Sequence, residues 1–412
     1  MRIYAFKGTR FVTDSANAGK LAAPPFDQID PTLRDRLYGE SPHQFARLTR
    51  PVAPDDGDIY LQASSVHSAW LSQGVIASDS EPSLYPYSIE LPDKSFRLGL
   101  CTLVGVEDPS SGIIRPHEQT LDKPFADRLN LVRATGVDLE PVMFLSDDPG
   151  TLEELLRADM RSQAPLVEHL DLRGNTHRLY RVAGADRIAQ YREVLGSCSA
   201  AIADGHHRYK VGRTHAEQTG AKPGTAAGAK MAVIFSLASE NLVIDPIHRG
   251  FEKMLDLTPL RSLTASQQTL TASSGEEVAR AVAAAPGPAL AVALRGGETE
   301  IWNLDPARMP TGTPPGSDRL AVIHLHQVLL PAVGFEPANY LDGTVSYRSD
   351  PTVLWREVQA GELALGVFLP PMTAELFGQA ISKGDLLPAK STRFLPKLAS
   401  GMVWSRHDTE VS

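Results

Sequence analysis

The sequence predicts a mixed α/β (α+β) protein of two domains. Short apolar runs of strand length alternate with segments of helical period along the whole chain. At 412 residues the chain is too long for one ordinary core. Composition shifts after about residue 252, and the segment 258–288 is rich in Ala, Ser and Thr. The boundary is expected near 250, giving domains 1–250 and 251–412.

The elements follow in order. Residues 22–29, AAPPFDQI, read as extended, because each proline biases its predecessor away from helix. Asp30 can cap a helix opened by Pro31. A second helix is expected over Asp58 to Gln73, with Ile59, Ala63, Val66 and Trp70 on one face. Leu98, Leu100, Thr102, Val104 and Val106 alternate as a half-buried strand. A helix opened by Pro124 carries Asp127 and Arg128. Pro141–Leu145 reads as a strand, Leu152–Met160 as a helix and Arg173-Gly174-Asn175 as a hairpin turn. A helix over Arg187–Leu195 feeds a strand over Ala200–Ala203. Further strands are expected at Met231–Leu237, Leu242–Ile244, Leu290–Leu294, Thr299–Leu304 and Leu363–Leu369. Helices are expected at Arg319–Leu330 and Thr373–Lys383.

The net charge of -9 and the pI of about 5.8 argue against a surface built for nucleic-acid backbone. Cys101 and Cys198 lie in apolar runs and read as buried free thiols. The N-terminus lacks the apolar segment of a signal peptide, and no run approaches a membrane span, so the cytosol is the expected compartment.

The chemistry concentrates at Asp204-Gly205-His206-His207-Arg208. A glycine at a strand-to-helix turn lets backbone approach a ligand, and the helix start favours anions. His206, His207 and Arg208 add donors for phosphate. Four weaker clusters accompany it. Arg115, His117, Glu118 and Thr120 lie after an alternating strand, with Asp127 and Arg128 close behind. Lys390, Ser391 and Thr392 resemble the end of a P-loop but lack its glycine cradle. Asp245-Pro246-Ile247-His248-Arg249 reads as a turn ending a strand. Asp27, beside Phe26 on an extended segment, is a candidate base if partly desolvated. Zinc spacings, HExxH, GxSxG and the Rossmann glycine triplet are absent from the sequence.

On PPFDQI at 24–29, SPHQFARL at 41–48, RPHEQT at 115–120, IADGHHRY at 202–209, DPIHR at 245–249 and LPAKSTRFLPK at 387–397, the chain resembles the "domain of unknown function 1015" family. The ADGHHR segment is also similar to that of free serine kinases built on the ParB/sulfiredoxin fold. That resemblance implies a ParB/sulfiredoxin-like core with elaborations, followed by a C-terminal α+β domain. It implies that Asp204, Gly205, His206, His207 and Arg208 handle the phosphates of a nucleotide or pyrophosphate donor. It further implies a carboxylate base on the acceptor hydroxyl, and free L-serine as that acceptor. The base stays open between Asp27, Glu118 and Asp204. Magnesium is expected with the donor, with Asp204 or Glu118 as the residue that would hold it. Lys390, Ser391 and Thr392 are expected on the phosphates; Arg115, His117, Thr120, Arg128, His248 and Arg249 are expected around the pocket. Sulfiredoxins carry a catalytic cysteine where His206 stands, which removes sulfinic-acid reduction. A small-molecule phosphotransferase is the leading reading. A nucleotide-binding switch and a phosphohydrolase are the alternatives, and a DNA partner is disfavoured by the acidic charge.

Overall fold

Two units make up the computed structural model, which describes residues 1–54, 57–118, 123–239, 242–313, 316–336, 340, 343–381 and 386–412. The first unit takes Met1–Pro116, Thr120–Asn241 and Pro396–Ser412; the second takes His117–Gln119 and Leu242–Leu395.

The first unit holds a nine-stranded sheet. Its strands are β1 (Ile3–Tyr4), β2 (Tyr85–Glu90), β3 (Phe96–Gly105), β4 (Ile114–Arg115), β5 (Val142–Ser146), β6 (Val167–Leu170), β7 (Thr176–Leu179), β8 (Ala200–Asp204) and β9 (Ala229–Ser236). Their order is β4-β8-β5-β9-β3-β2-β7-β6, with β1 paired to β3. The sheet is mixed: β8 runs parallel to β4 and antiparallel to β5, and β9 parallel to β5 and antiparallel to β3.

The expected strand at 98–106 is β3, but it is not half-buried. Every residue from Arg97 to Gly105 is buried, because β3 is central and both its faces are covered. On one face Leu98, Leu100 and Val104 join Phe144, Ile202 and Ile234.

The longer helices of this unit are α1 (Pro31–Glu40), α2 (Ile59–Ser72), α3 (Lys123–Thr135), α4 (Thr151–Arg161), α5 (Ala185–Gly196) and α6 (His206–Thr219). Asp30 and Asp58 cap α1 and α2 through their side chains. Ala63, His67 and Trp70 form the buried stripe of α2. Leu152 and Leu156 of α4, with Ile188, Tyr191 and Leu195 of α5, close the sheet's apolar face.

The second unit has a six-stranded sheet. It comprises β10 (His248–Phe251), β11 (Thr264–Thr271), β12 (Ala289–Leu294), β13 (Glu298–Leu304), β14 (Val345–Arg348) and β15 (Leu365–Phe368), in the order β11-β13-β12-β15-β10-β14, all antiparallel. Helices α7 (Gly275–Ala283) and α8 (Pro351–Ala360) pack Val278, Val282, Leu354 and Val358 on Ala291, Ala293 and Phe368.

Several expectations are corrected here. The Ala/Ser/Thr-rich segment conceals β11 and α7. β11 is a polar, mostly exposed edge strand, so it shows no apolar period. The helix expected at 319–330 is an α turn over Ala321–His324, a π segment over Leu325–Leu329 and a 3-10 turn over Leu330–Val333. The turn read at 245–249 is confined to its middle, since Asp245 ends a strand and His248 opens β10. The helix expected at 373–383 spans Ala374–Ile381, and 382–385 lie outside the described residues. Both cysteines are free and buried. Among the described residues no helix is long and apolar enough to cross a membrane.

Candidate functional site

β8 is built from Ala200, Ala201, Ile202 and Ala203, small or branched apolar residues that fit between β4 and β5. A register shift between Ile202 and Asp204 re-aims the acid at the strand end. Gly205 follows with φ +93°, a left-handed conformation that side chains resist. Its second constraint is steric. A Cβ there would lie 2.8 Å from Nε of Arg208. The glycine therefore makes room for Arg208 as well as for any ligand. α6 starts at His206 with no side-chain cap and ends at Gly220, also left-handed.

Asp204 sits between two cations. Arg208 Nη2 donates to its Oδ2 at 2.5 Å, and Lys397 Nζ pairs with its Oδ1. Burial pushes the Asp204 carboxyl up, but Lys397, Arg208 and then His206 outweigh it and hold the pKa at about 2. Arg208 donates a second bond to the Pro141 carbonyl at 2.5 Å, and its side chain is only 8 % exposed. A solvent-facing phosphate donor at this position is thus replaced by a buried brace. Tyr209 is likewise buried; its hydroxyl accepts from the Glu107 amide at 3.1 Å.

Beside the turn lies a small cavity of about 30 Å³, lined by the charged Arg128, Asp138, Glu140, Arg208 and Lys230 and by the apolar Leu131, Val132, Val137, Leu139 and Val211. Lys230 pairs with Asp138 and donates to the Glu140 carbonyl at 3.0 Å. Glu140 Oε1 accepts from the Phe26 amide at 2.9 Å and from Ser400 Oγ at 2.8 Å. Arg128 stacks over the Phe26 ring at 4.2 Å and donates to Asp127 at 2.7 Å and to the Thr49 carbonyl at 2.8 Å.

Asp27 is exposed on the 3-10 turn Phe26–Gln28, so the partial desolvation expected from its aromatic neighbour is absent. Its charge still reaches Arg208. Desolvation lowers the Arg208 pKa, but Asp204, Glu140, Asp27 and Asp138 raise it overall. Arg115, on β4, donates to the Gly112 carbonyl at 2.9 Å and to Ser199 Oγ at 2.6 Å.

The remaining expected residues gather in the second unit. His117 Nε2 bonds Thr392 Oγ1 at 2.7 Å, and the Lys390 amide donates to Glu118 Oε2 at 3.2 Å. Ser391 Oγ donates to the Pro388 carbonyl at 2.5 Å. Arg249 is fully buried and donates to His326 Nε2 at 3.2 Å, the Ile247 carbonyl at 2.5 Å and the Ala389 carbonyl at 3.3 Å. His248 Nδ1 accepts from the Leu369 amide at 3.1 Å. Thr120 lies outside the described residues.

Sequence reading missed Lys397, Glu140, Asp138 and Lys230. A weak signal existed for two of them. Asp138 and Glu140 put charge at the mouth of the buried strand expected from Pro141. Among the described residues no group of three or more His, Cys, Asp or Glu could hold a metal ion. Asp204 does not fit a magnesium ligand, because both its oxygens are held by cations.

The fold and this turn define a mixed α/β protein with a strand–glycine–helix site. The chain belongs to the DUF1015 family, described as a protein of unknown function, whose model matches residues 3–307. No curated protein matches it. Similar solved structures include a free serine kinase in complex with AMP, at 14% identity and TM-score 0.35, covering 72% of this chain and 87% of that one. SbnI with C-terminal truncation from Staphylococcus aureus is 11% identical, with TM-score 0.37 and coverage of 72% and 84%. A conserved hypothetical protein from Pyrococcus furiosus is 14% identical, with TM-score 0.35 and coverage of 72% and 90%. At these scores the likenesses carry no argument about this chain.

Proposed function

We propose that the protein is a small-molecule phosphotransferase that takes a nucleotide or pyrophosphate as donor. The observation that carries this is the start of α6. A 14-residue helix opens behind a left-handed glycine with no side-chain cap, and two histidines occupy its first turn. Phosphate oxygens would meet the helix start with His207, since His206 is as buried as Arg208. Lys397, with a side chain 17 % exposed and Asp204 as partner, is the cation placed to share itself with an arriving phosphate. Arg208 supports the turn from within.

In the transfer, the acceptor hydroxyl oxygen forms a bond to the terminal phosphorus. The bond from phosphorus to the bridging oxygen breaks, and its electron pair stays on the leaving phosphate. The hydroxyl proton passes to a carboxylate. Asp204 is unsuited to that role, since a base held at about 2 is far below the working pH. Asp27, which lies in the same unit as α6 and whose charge reaches Arg208, remains the candidate, and the resemblance of the ADGHHR segment to free serine kinases supports L-serine as acceptor. Magnesium bound to the donor would neutralise phosphate charge, with no role for Asp204 in holding it.

Phosphorus NMR of the full-length protein with magnesium and L-serine, run separately with ATP, ADP and pyrophosphate, tests this. A phosphoserine signal with one donor is the expected result. Donor breakdown to orthophosphate alone would make the protein a hydrolase. Binding without turnover would replace phosphotransfer by a nucleotide switch.

A further inference from the structure

The loop 388–392 of the second unit is held in a costly shape by groups remote in sequence. Lys390 has φ +59°, and among the described residues only Lys94 is another non-glycine with positive φ. Such a conformation persists where its surroundings over-determine it, and it concentrates at ligand sites. Here the surroundings do over-determine it. Glu118 accepts the Lys390 amide, His117 bonds the Thr392 hydroxyl, and Arg249 holds the Ala389 carbonyl. The Lys390 side chain is left exposed at the tip.

Arg249 is the second observation. It is fully buried, and among the described residues its hydrogen-bond partners are one imidazole and two carbonyls, with no carboxylate. Its guanidinium also lies over the Tyr347 ring at 4.6 Å. Glu118 contributes its field to Arg249 from farther off while it accepts from Lys390. Burying a cation without a directly bonded counter-charge is expensive. An anion settling on the same loop would meet that cost in part.

We propose that loop 388–392 is a preformed anion site of the second unit, with Lys390 as the contacting cation and Arg249 and Glu118 as positioning residues. The ligand class is a phosphate or diphosphate group. The proposal shares only that ligand class with the α6 reading and does not depend on it.

Calorimetric titration of the full-length protein with inorganic pyrophosphate tests it, using wild type, Lys390→Gly, Arg249→Lys and His207→Ala. Lys390→Gly removes the charge and relieves the left-handed residue. It should leave the unfolding midpoint unchanged or raised while weakening binding at least about tenfold, the loss of one charge-assisted hydrogen bond. That opposition separates a contact role from a structural one. Arg249→Lys should retain part of the affinity by keeping the charge. Binding indifferent to Lys390→Gly but lost in His207→Ala overturns this site and leaves the α6 reading standing. Absence of pyrophosphate binding by the wild type overturns this site and leaves the α6 reading standing with a nucleotide donor.

Discussion

Asp204 binds two cations that differ in what they can do, and burial makes the difference. Arg208 leaves the first turn of α6, spends its donors on Asp204 and the Pro141 carbonyl, and lies under Gly205. Lys397 comes from a distant stretch of chain and keeps some exposure. Arg208→Ala would leave a buried carbonyl without its donor and Asp204 with one cation fewer. The expected loss is about 3 kcal/mol of unfolding free energy in urea, the cost of breaking a buried pair. A loss within experimental error would show that the guanidinium is not the brace described.

At the scale of elements, small residues set how closely helices approach the sheets. In the second unit α8 lies on β15 at Gly366, where a Cβ would come within 3.1 Å of both Leu354 Cγ and Val358 Cγ2. Gly366→Val should therefore overpack that contact and cost about 2 kcal/mol, read as a lower thermal midpoint. An unchanged midpoint would mean that α8 shifts freely. The π segment at Leu325–Leu329 shows the reverse influence, of packing on an element. His324 bonds the Asp318 carbonyl at 2.6 Å, His326 accepts from buried Arg249, and Pro331 brings no amide to continue the ladder. No local propensity in that stretch distinguishes a π turn from an α turn.

At the scale of the molecule, residues 396–412 return to the first unit and enter its core. Trp404 is fully buried against Phe11 and Phe45, and its indole donates to His67 Nε2 at 3.2 Å. His67 in the first unit and His248 in the second each accept a hydrogen bond on a ring nitrogen, and each is held neutral, chiefly by burial, at a pKa of about 4. A histidine depressed from 6.5 to about 4 binds fewer protons folded than unfolded between those values. Stability should then fall as pH drops from about 6.5 to about 4, by up to roughly 3 kcal/mol for each group. Asp204 adds a separate loss below about 3.8, as pH approaches its folded value of about 2. Urea midpoints across pH 3 to 8 would check this, and a flat profile above pH 4 would count against neutral burial of both histidines.

By itself the sequence determined the mixed α/β class, the capped helices at Asp30 and Asp58 and the strand–glycine–helix turn at 204–206. Each is legible because its cause is local: a period, a cap, a residue that tolerates positive φ. By residue type it also singled out Asp204, Gly205 and Arg208 as a candidate site. Tertiary structure alone decided that β3 is buried on both faces, that Asp27 is exposed and that Arg208 is a brace. It alone brought Lys397 to Asp204 and set Arg249 beneath the loop of Lys390. These facts depend on partners up to 193 residues apart, as in the Lys397–Asp204 pair, and burial and pairing are properties of the surroundings rather than of the residue.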